Sequence, residues 1–248
     1  YGESDFYSNK AYMRKTGTFE EGVLVYESNE FNAYPEAIGD KLYIFTNDNA
    51  PNFKLMTADT ANPESKNWKT LVPESETVMQ SYAVTKNNLI IQDKKDIMSR
   101  LTLYDLDGKR LKEIELPEVG NVSAMSYNRE ENLVYVTLNT FTSTPKVFVA
   151  SPDDFKWSLY YERKLPIDMS HIEGEIKFYT SKDGTKIPAF VVHKKGLKMD
   201  GNNPVLVRGY GGFNIGIEPG YQGFYAPLLE AGVVIVEAGI RGGDEYGE

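Results

Sequence analysis

Apolar residues fall into short runs along most of this chain, and the runs recur in the same order. DKLYIF, FKLMTAD and WKTLV are followed by NNLIIQ, RLTLYDLDG and RLKEIEL, and then by ENLVYV, KVFVAS and WSLYY. Short apolar or alternating runs cut by polar turns predict β-strands rather than helices. Leu42, Leu89 and Leu133 open equivalent strands, so the unit repeats about every 45 residues, the spacing of β-propeller blades. The middle unit is the fullest, with TVMQSYAV, NLIIQDK, RLTLYDLDG and KRLKEIELP reading as four strands. Asn87-Asn88 and Asp107-Gly108 supply the turns, the second being a hairpin signal. Tyr104, Leu106, Ile114 and their equivalents are predicted to pack between neighbouring blades.

The rhythm breaks in one place. GVLVYES, residues 22–28, reads as the third strand of a blade, yet Leu42 follows Tyr26 much sooner than Leu133 follows Tyr104. Around Asn32 to Tyr34 there is room for the outer strand of one blade or the inner strand of the next, but not both. A strand is therefore expected to be missing or compressed there. Closed propellers generally need about four to eight blades, so this set is expected to be partial, a fragment with an internal deletion.

After LPIDMSHIEG the pattern changes. GEIKFYTSKDGTKIPAFVVHKKG predicts two strands around a Lys-Asp-Gly-Thr turn, and PVLVRGYGG, YAPLLEAG and VVIVEAGIRGG read as strand, crossover helix and buried parallel strand. The expected architecture is a partial β-propeller of several four-stranded blades over residues 1–165, followed over 166–248 by a unit of α/β type. A buried parallel strand ending in Gly-Tyr-Gly-Gly places a candidate site at the carboxyl edge of that sheet. Gly211 and Gly212 can take positive φ there and let another chain approach the main chain closely.

Composition narrows the chemistry. The net charge of −9, with no basic block, argues against nucleic acid, because that affinity rests on Lys and Arg displacing counterions. No apolar run approaches the roughly 20 residues of a membrane span, and YGESDFYSNK has no signal-peptide pattern, so a soluble protein is expected, cytoplasmic or periplasmic. With no cysteine, thiolate catalysis and cysteine metal sites are excluded. The two histidines, His171 and His193, lack ligand spacing, so no metal and no cofactor is expected, and both read as non-catalytic. Arg241, with Asp244 and Glu245 beside it, reads as a structural turn closed by a local ion pair.

FYTSKDGTKIPAFVVHKKGLKMDGNNPVLVRGYGGFN, with IRGGDEYGE after it, resembles the start of the peptidase domain of the prolyl oligopeptidase family, serine peptidases that join an α/β-hydrolase domain to a β-propeller. The likeness extends back through LTLYDLDGKRL, WKTLVPESE and TNDNAPNFKLMTAD, and is weakest from Tyr1 to Asn32. It implies a serine endopeptidase that cleaves short peptides on the carboxyl side of proline through an acyl-enzyme. Tyr210 then matches the family's oxyanion-hole tyrosine, and Phe213 a phenylalanine lining the proline-accepting pocket. In α/β hydrolases nucleophile, acid and histidine follow in that order, and the chain contains no Gly-x-Ser-x-Gly. The triad is therefore expected in the remainder of the same polypeptide, and this chain alone is expected to be inactive. Two alternatives stand beside this: a related hydrolase of oligopeptidase B or acylaminoacyl-peptidase type, whose glycine loops usually differ from GYGGFN, and a non-catalytic propeller binding module.

Overall fold

The computed structural model of the chain describes residues 1–4, 8–95, 97–164, 167–213 and 215–247. Four antiparallel sheets follow one another along the chain. The first contains β1 (Gly2–Ser4), β2 (Asn9–Met13) and β3 (Val23–Glu27), and the second β4 (Ala33–Ile38), β5 (Lys41–Thr46), β6 (Lys54–Asp59) and β7 (Lys69–Val72). The third contains β8 (Val78–Val84), β9 (Asn88–Lys95), β10 (Met98–Asp105) and β11 (Arg110–Ile114), and the fourth β12 (Asn121–Asn128), β13 (Leu133–Asn139), β14 (Lys146–Ala150) and β15 (Ser158–Glu162). The result is β-propeller-like and dominated by four-stranded sheets. Leu42, Leu89 and Leu133 lie at the start of β5, β9 and β13, the second strand of each sheet, as the repeat predicts.

Turn chemistry closes the hairpins. Between β10 and β11, Asp105 Oδ1 accepts the amides of Asp107 (3.0 Å) and Lys109 (2.9 Å), and Gly108 takes φ +84°, a conformation costly for any residue with a Cβ. The cores lie between sheets. Leu89 and Ile91 point from β9 into a cluster with Tyr43, Leu55 and Val72 of the second sheet. Ile90 points the other way, joining Leu101 and Ile114 with Val134, Val136 and Leu138 of the fourth. A strand covered on both faces buries consecutive apolar residues, which is why NLIIQ does not alternate. Each fully buried Leu or Ile contributes about 1.5–3 kcal/mol, so β9 serves two interfaces at once. Ile114 is buried as expected, with Tyr104 and Leu106 partly buried against the neighbouring cluster.

The compressed region resolves into a direct connection between two sheets. Among the described residues the first sheet has three strands, and β3 passes through residues 28–32 directly into β4. The second sheet has all four of its strands, so the expected shortfall does not fall on its first strand, β4. Ser28 Oγ accepts the amides of Glu30 and Phe31, each at 3.0 Å, which makes the short connection. Asn9 then clamps the start of β4: its Nδ2 donates to Ala33 O (2.6 Å) and its Oδ1 accepts Ala33 N (2.8 Å).

The fifth sheet is mixed. β16 (Ile172–Thr180) and β17 (Lys186–Lys194) form a hairpin, followed by β18 (Val205–Tyr210), α1 (Ala226–Glu230) and β19 (Val234–Gly239), in the order β16-β17-β19-β18. β18 and β19 are parallel, with Val205 opposite Val234 and Tyr210 opposite Gly239, as the strand-crossover-strand pattern predicts. β18, however, is not buried. It is the sheet's edge, bonded to β19 alone, and all six of its residues are exposed. Leu229 and Ala226 of α1 pack with Val192 and Ile235 on one face of the sheet. The expected boundary between residues 165 and 166 lies outside the described residues. Among those described, no helix is long and apolar enough to cross a membrane.

Candidate functional site

At the carboxyl end of β18 the chain enters Tyr210-Gly211-Gly212-Phe213, and at the carboxyl end of β19 it enters the turn from Ile240 to Gly247. Because the strands are parallel and in register, the two loops leave the sheet side by side. Their backbones pack directly: a Cβ on Gly211 would overlap the carbonyl oxygen of Arg241, and a Cβ on Gly242 the carbonyl oxygen of Gly211. The close approach expected of the glycines is thus made to the chain's own second loop. Neither Gly211 nor Gly212 uses the positive φ open to a glycine. Instead φ is +94° at Gly242 and +56° at Phe213, a strained conformation for a residue with a bulky side chain.

Tyr210 is 42% exposed, and its ring folds back along its own loop, since a Cβ on Gly212 would lie 3.1 Å from the phenol oxygen. Phe213 is 65% exposed. The structure therefore brings a phenol donor and an aromatic ring onto one rigidly seated loop, both open to solvent. A cavity of about 380 Å³ lies nearby in the chain, between the fourth and fifth sheets, lined by Phe141, Ile176, Phe190 and Pro219 among others; neither Tyr210 nor Phe213 reaches it.

Arg241 does not pair with its neighbours Asp244 and Glu245. Its guanidinium crosses to the β16–β17 turn, donating to Asp183 and to Thr185 Oγ1 at 2.9 Å. Hydrogen bonds from Thr185 come first in holding the Asp183 carboxyl below its ordinary value, and the Arg241 charge adds to them. Glu245 is buried and accepts the amide of Ile217 at 3.0 Å, tying the second loop back to the first. Beneath the loops, Glu237 is buried on β19, accepting the Tyr225 hydroxyl at 3.0 Å and facing Arg208 at 3.4 Å. The bond to Tyr225 and the charge of Glu237 raise Arg208 above its ordinary value. Arg208 and Glu237 are register partners. Each is the fourth residue of its strand, VLVRGY and VIVEAG, and a parallel in-register pairing assumed from the sequence finds them.

Both imidazoles have structural partners. His171 Nε2 lies 2.6 Å from Glu230 Oε1, while His193 is buried on β17 with Nδ1 2.8 Å from Lys194 O. Among the described residues no group of three or more His, Asp or Glu is placed to hold a metal ion.

Comparison with known proteins places these features in context. Residues 4–163 match the family model for the N-terminal β-propeller domain of prolyl oligopeptidase. The chain is 34% identical over 210 residues to a prolyl endopeptidase of Elizabethkingia miricola, covering 85% of this chain and 30% of that protein. It is 32% identical over 229 residues to prolyl oligopeptidase A of Galerina marginata, covering 89% of this chain and 31% of that protein. A solved structure from a study of two prolyl endopeptidases and their inter-domain dynamics superposes with a TM-score of 0.87 at 33% identity, over 98% of this chain and 36% of that one. Prolyl oligopeptidase B from Galerina marginata, bound to a 35-residue hydrolysis and macrocyclization substrate, superposes at 0.85 with 25% identity, over 98% of this chain and 36% of that one. The chain thus spans about 30% of the length of the curated relatives it matches.

Proposed function

The chain belongs to the prolyl oligopeptidase family, and from that premise we propose that it is part of a serine endopeptidase acting on short peptides at the carboxyl side of proline. In this reading residues 1–165 belong to the propeller and residues 166–248 open an α/β-hydrolase peptidase domain. The parallel pair β18 and β19 joined through α1 supports that division, because parallel neighbours require a crossover connection. The observation that carries the reading is the Tyr210–Phe213 loop, seated by direct backbone packing on the 240–247 turn at the carboxyl edge of the parallel strands. Ligands of open α/β sheets bind at that edge.

The roles follow from the side chains. Tyr210 donates its phenol hydrogen to the oxyanion of the tetrahedral intermediate, a fixed donor there being worth about 10²- to 10³-fold in rate. Phe213 presents an apolar ring against the proline side chain of a bound peptide. Serine, aspartate and histidine would come from further residues of the same polypeptide, with serine attacking, histidine taking its proton and aspartate orienting the histidine. Intact mass spectrometry on the purified protein, paired with hydrolysis of a Gly-Pro chromogenic peptide, tests this. Turnover by material heavier than 28.0 kDa is the expected result, and turnover at that mass would refute the placement of the nucleophile outside this chain.

A further inference from the structure

Lys94 ends the buried part of β9, and its side chain is 3% exposed. A buried ammonium is untenable without counter-charge, and among the described residues the two carboxylates that meet it come from the loops at the candidate site. Glu218 Oε1 lies 2.6 Å from its Nζ, and Asp244 Oδ1 lies 3.6 Å away. Glu218 belongs to the segment that follows Phe213, and Asp244 to the turn that follows β19. Asn121, at the start of β12, donates to the other oxygen of Glu218 at 2.6 Å, so two neighbouring propeller sheets grip the same carboxylate. Asn121 is itself held, hydrogen-bonded to Ser99, whose hydroxyl accepts Val122 N at 2.9 Å.

We infer that Lys94 is a positioning residue for the candidate site: one buried propeller ammonium clamps the loop carrying Tyr210 and Phe213 to the 240–247 turn. The inference rests on the reading of Tyr210 given above. Without the cation, two carboxylates on adjacent loops face each other unneutralised, and like charges drive the loops apart. Displacement of a reacting group by about 1 Å costs on the order of 10²-fold in rate. The propeller then has a part in shaping the oxyanion donor, from a strand remote in sequence.

Lys94→Met and Glu218→Gln, singly and together, test it in the native full-length protein. Each single variant is expected to lower kcat about 10²-fold with KM little changed, and to speed hydrogen exchange in residues 209–217 and 240–247. The double variant is expected to be no worse than the more impaired single one, because both break the Lys94–Glu218 pair. Glu218 lies on a half-exposed loop, so Glu218→Gln carries the test if Lys94→Met fails to fold. Tyr210→Phe separates the two ideas. If it lowers kcat while the latch variants do not, the role of Lys94 is overturned and the site stands. If it leaves kcat unchanged, the reading of the site falls, and unaltered loop exchange in the latch variants then overturns the clamp as well.

Discussion

Asn9 illustrates how much a single side chain decides here. One amide satisfies both the N–H and the C=O of Ala33, buried groups for which a missing partner is costly. Asn9→Ala is expected to destabilise the chain by about 2–3 kcal/mol, read as a lower urea midpoint with an unchanged slope. Asp183 supplies a pH dependence. Its folded value lies below the ordinary 3.8, so its contribution to anchoring Arg241 is present above 3.8 and is lost as pH falls through the lower folded value. The protection of residues 240–247, that is exchange relative to the intrinsic amide rate at each pH, is expected to change little from neutral pH down to about 5 and to fall on acidification below 3.8, with Asp183→Asn already less protected at neutral pH. At this scale the Asp107-Gly108 turn was legible, because its chemistry is local. The partners of Asn9, Lys94 and Arg241 were not, since each lies on a strand or turn far along the chain.

Strands and loops were legible to the extent that their neighbours are sequential. Each hairpin meander could be read from apolar runs and turn residues, and β9 could be read as a fully covered strand from its unbroken NLIIQ. The short first sheet shows where this stops. Spacing showed room for only one strand between Tyr26 and Leu42, and pairing showed that β4, the first strand of the second sheet, fills it. The glycine loops make the same point: their composition announced a close backbone approach, and the structure shows that the approaching chain is the second loop. Gly242→Ala is expected to be severe, because the new methyl both overlaps the Gly211 carbonyl and requires φ +94°. Faster exchange confined to residues 209–213 and 240–247, with the propeller sheets unchanged, would be the signature; protection equal to wild type in those segments would contradict the packing described.

Across the whole molecule, the fifth sheet ends on an uncovered strand. Val205 is 53% and Val207 66% exposed on β18, the edge strand of its sheet. Such an edge is a template for pairing with another chain. The 248-residue polypeptide by itself is expected to self-associate, as light scattering at increasing concentration would show, and Val207→Lys is expected to reduce that association without altering the far-ultraviolet circular dichroism. A monodisperse 28.0 kDa species at all concentrations would contradict this.

Sequence by itself determined the blade-like repeat, the strands within each unit and the change of architecture after the fourth sheet, and it pointed to the glycine loop on which the proposed function rests. These depend on apolar period and turn residues, which act between positions a few residues apart. Tertiary structure alone decided that β4 completes the second sheet, that β18 is an exposed edge, that Gly211 and Gly242 make room for each other, that Arg241 anchors to Asp183, and that Lys94 reaches both loops. Those outcomes depend on register, and on which buried charges and backbone groups meet across distant segments. Local pattern leaves such meetings open until the chain is folded, when the cost of an unpaired polar group selects among them.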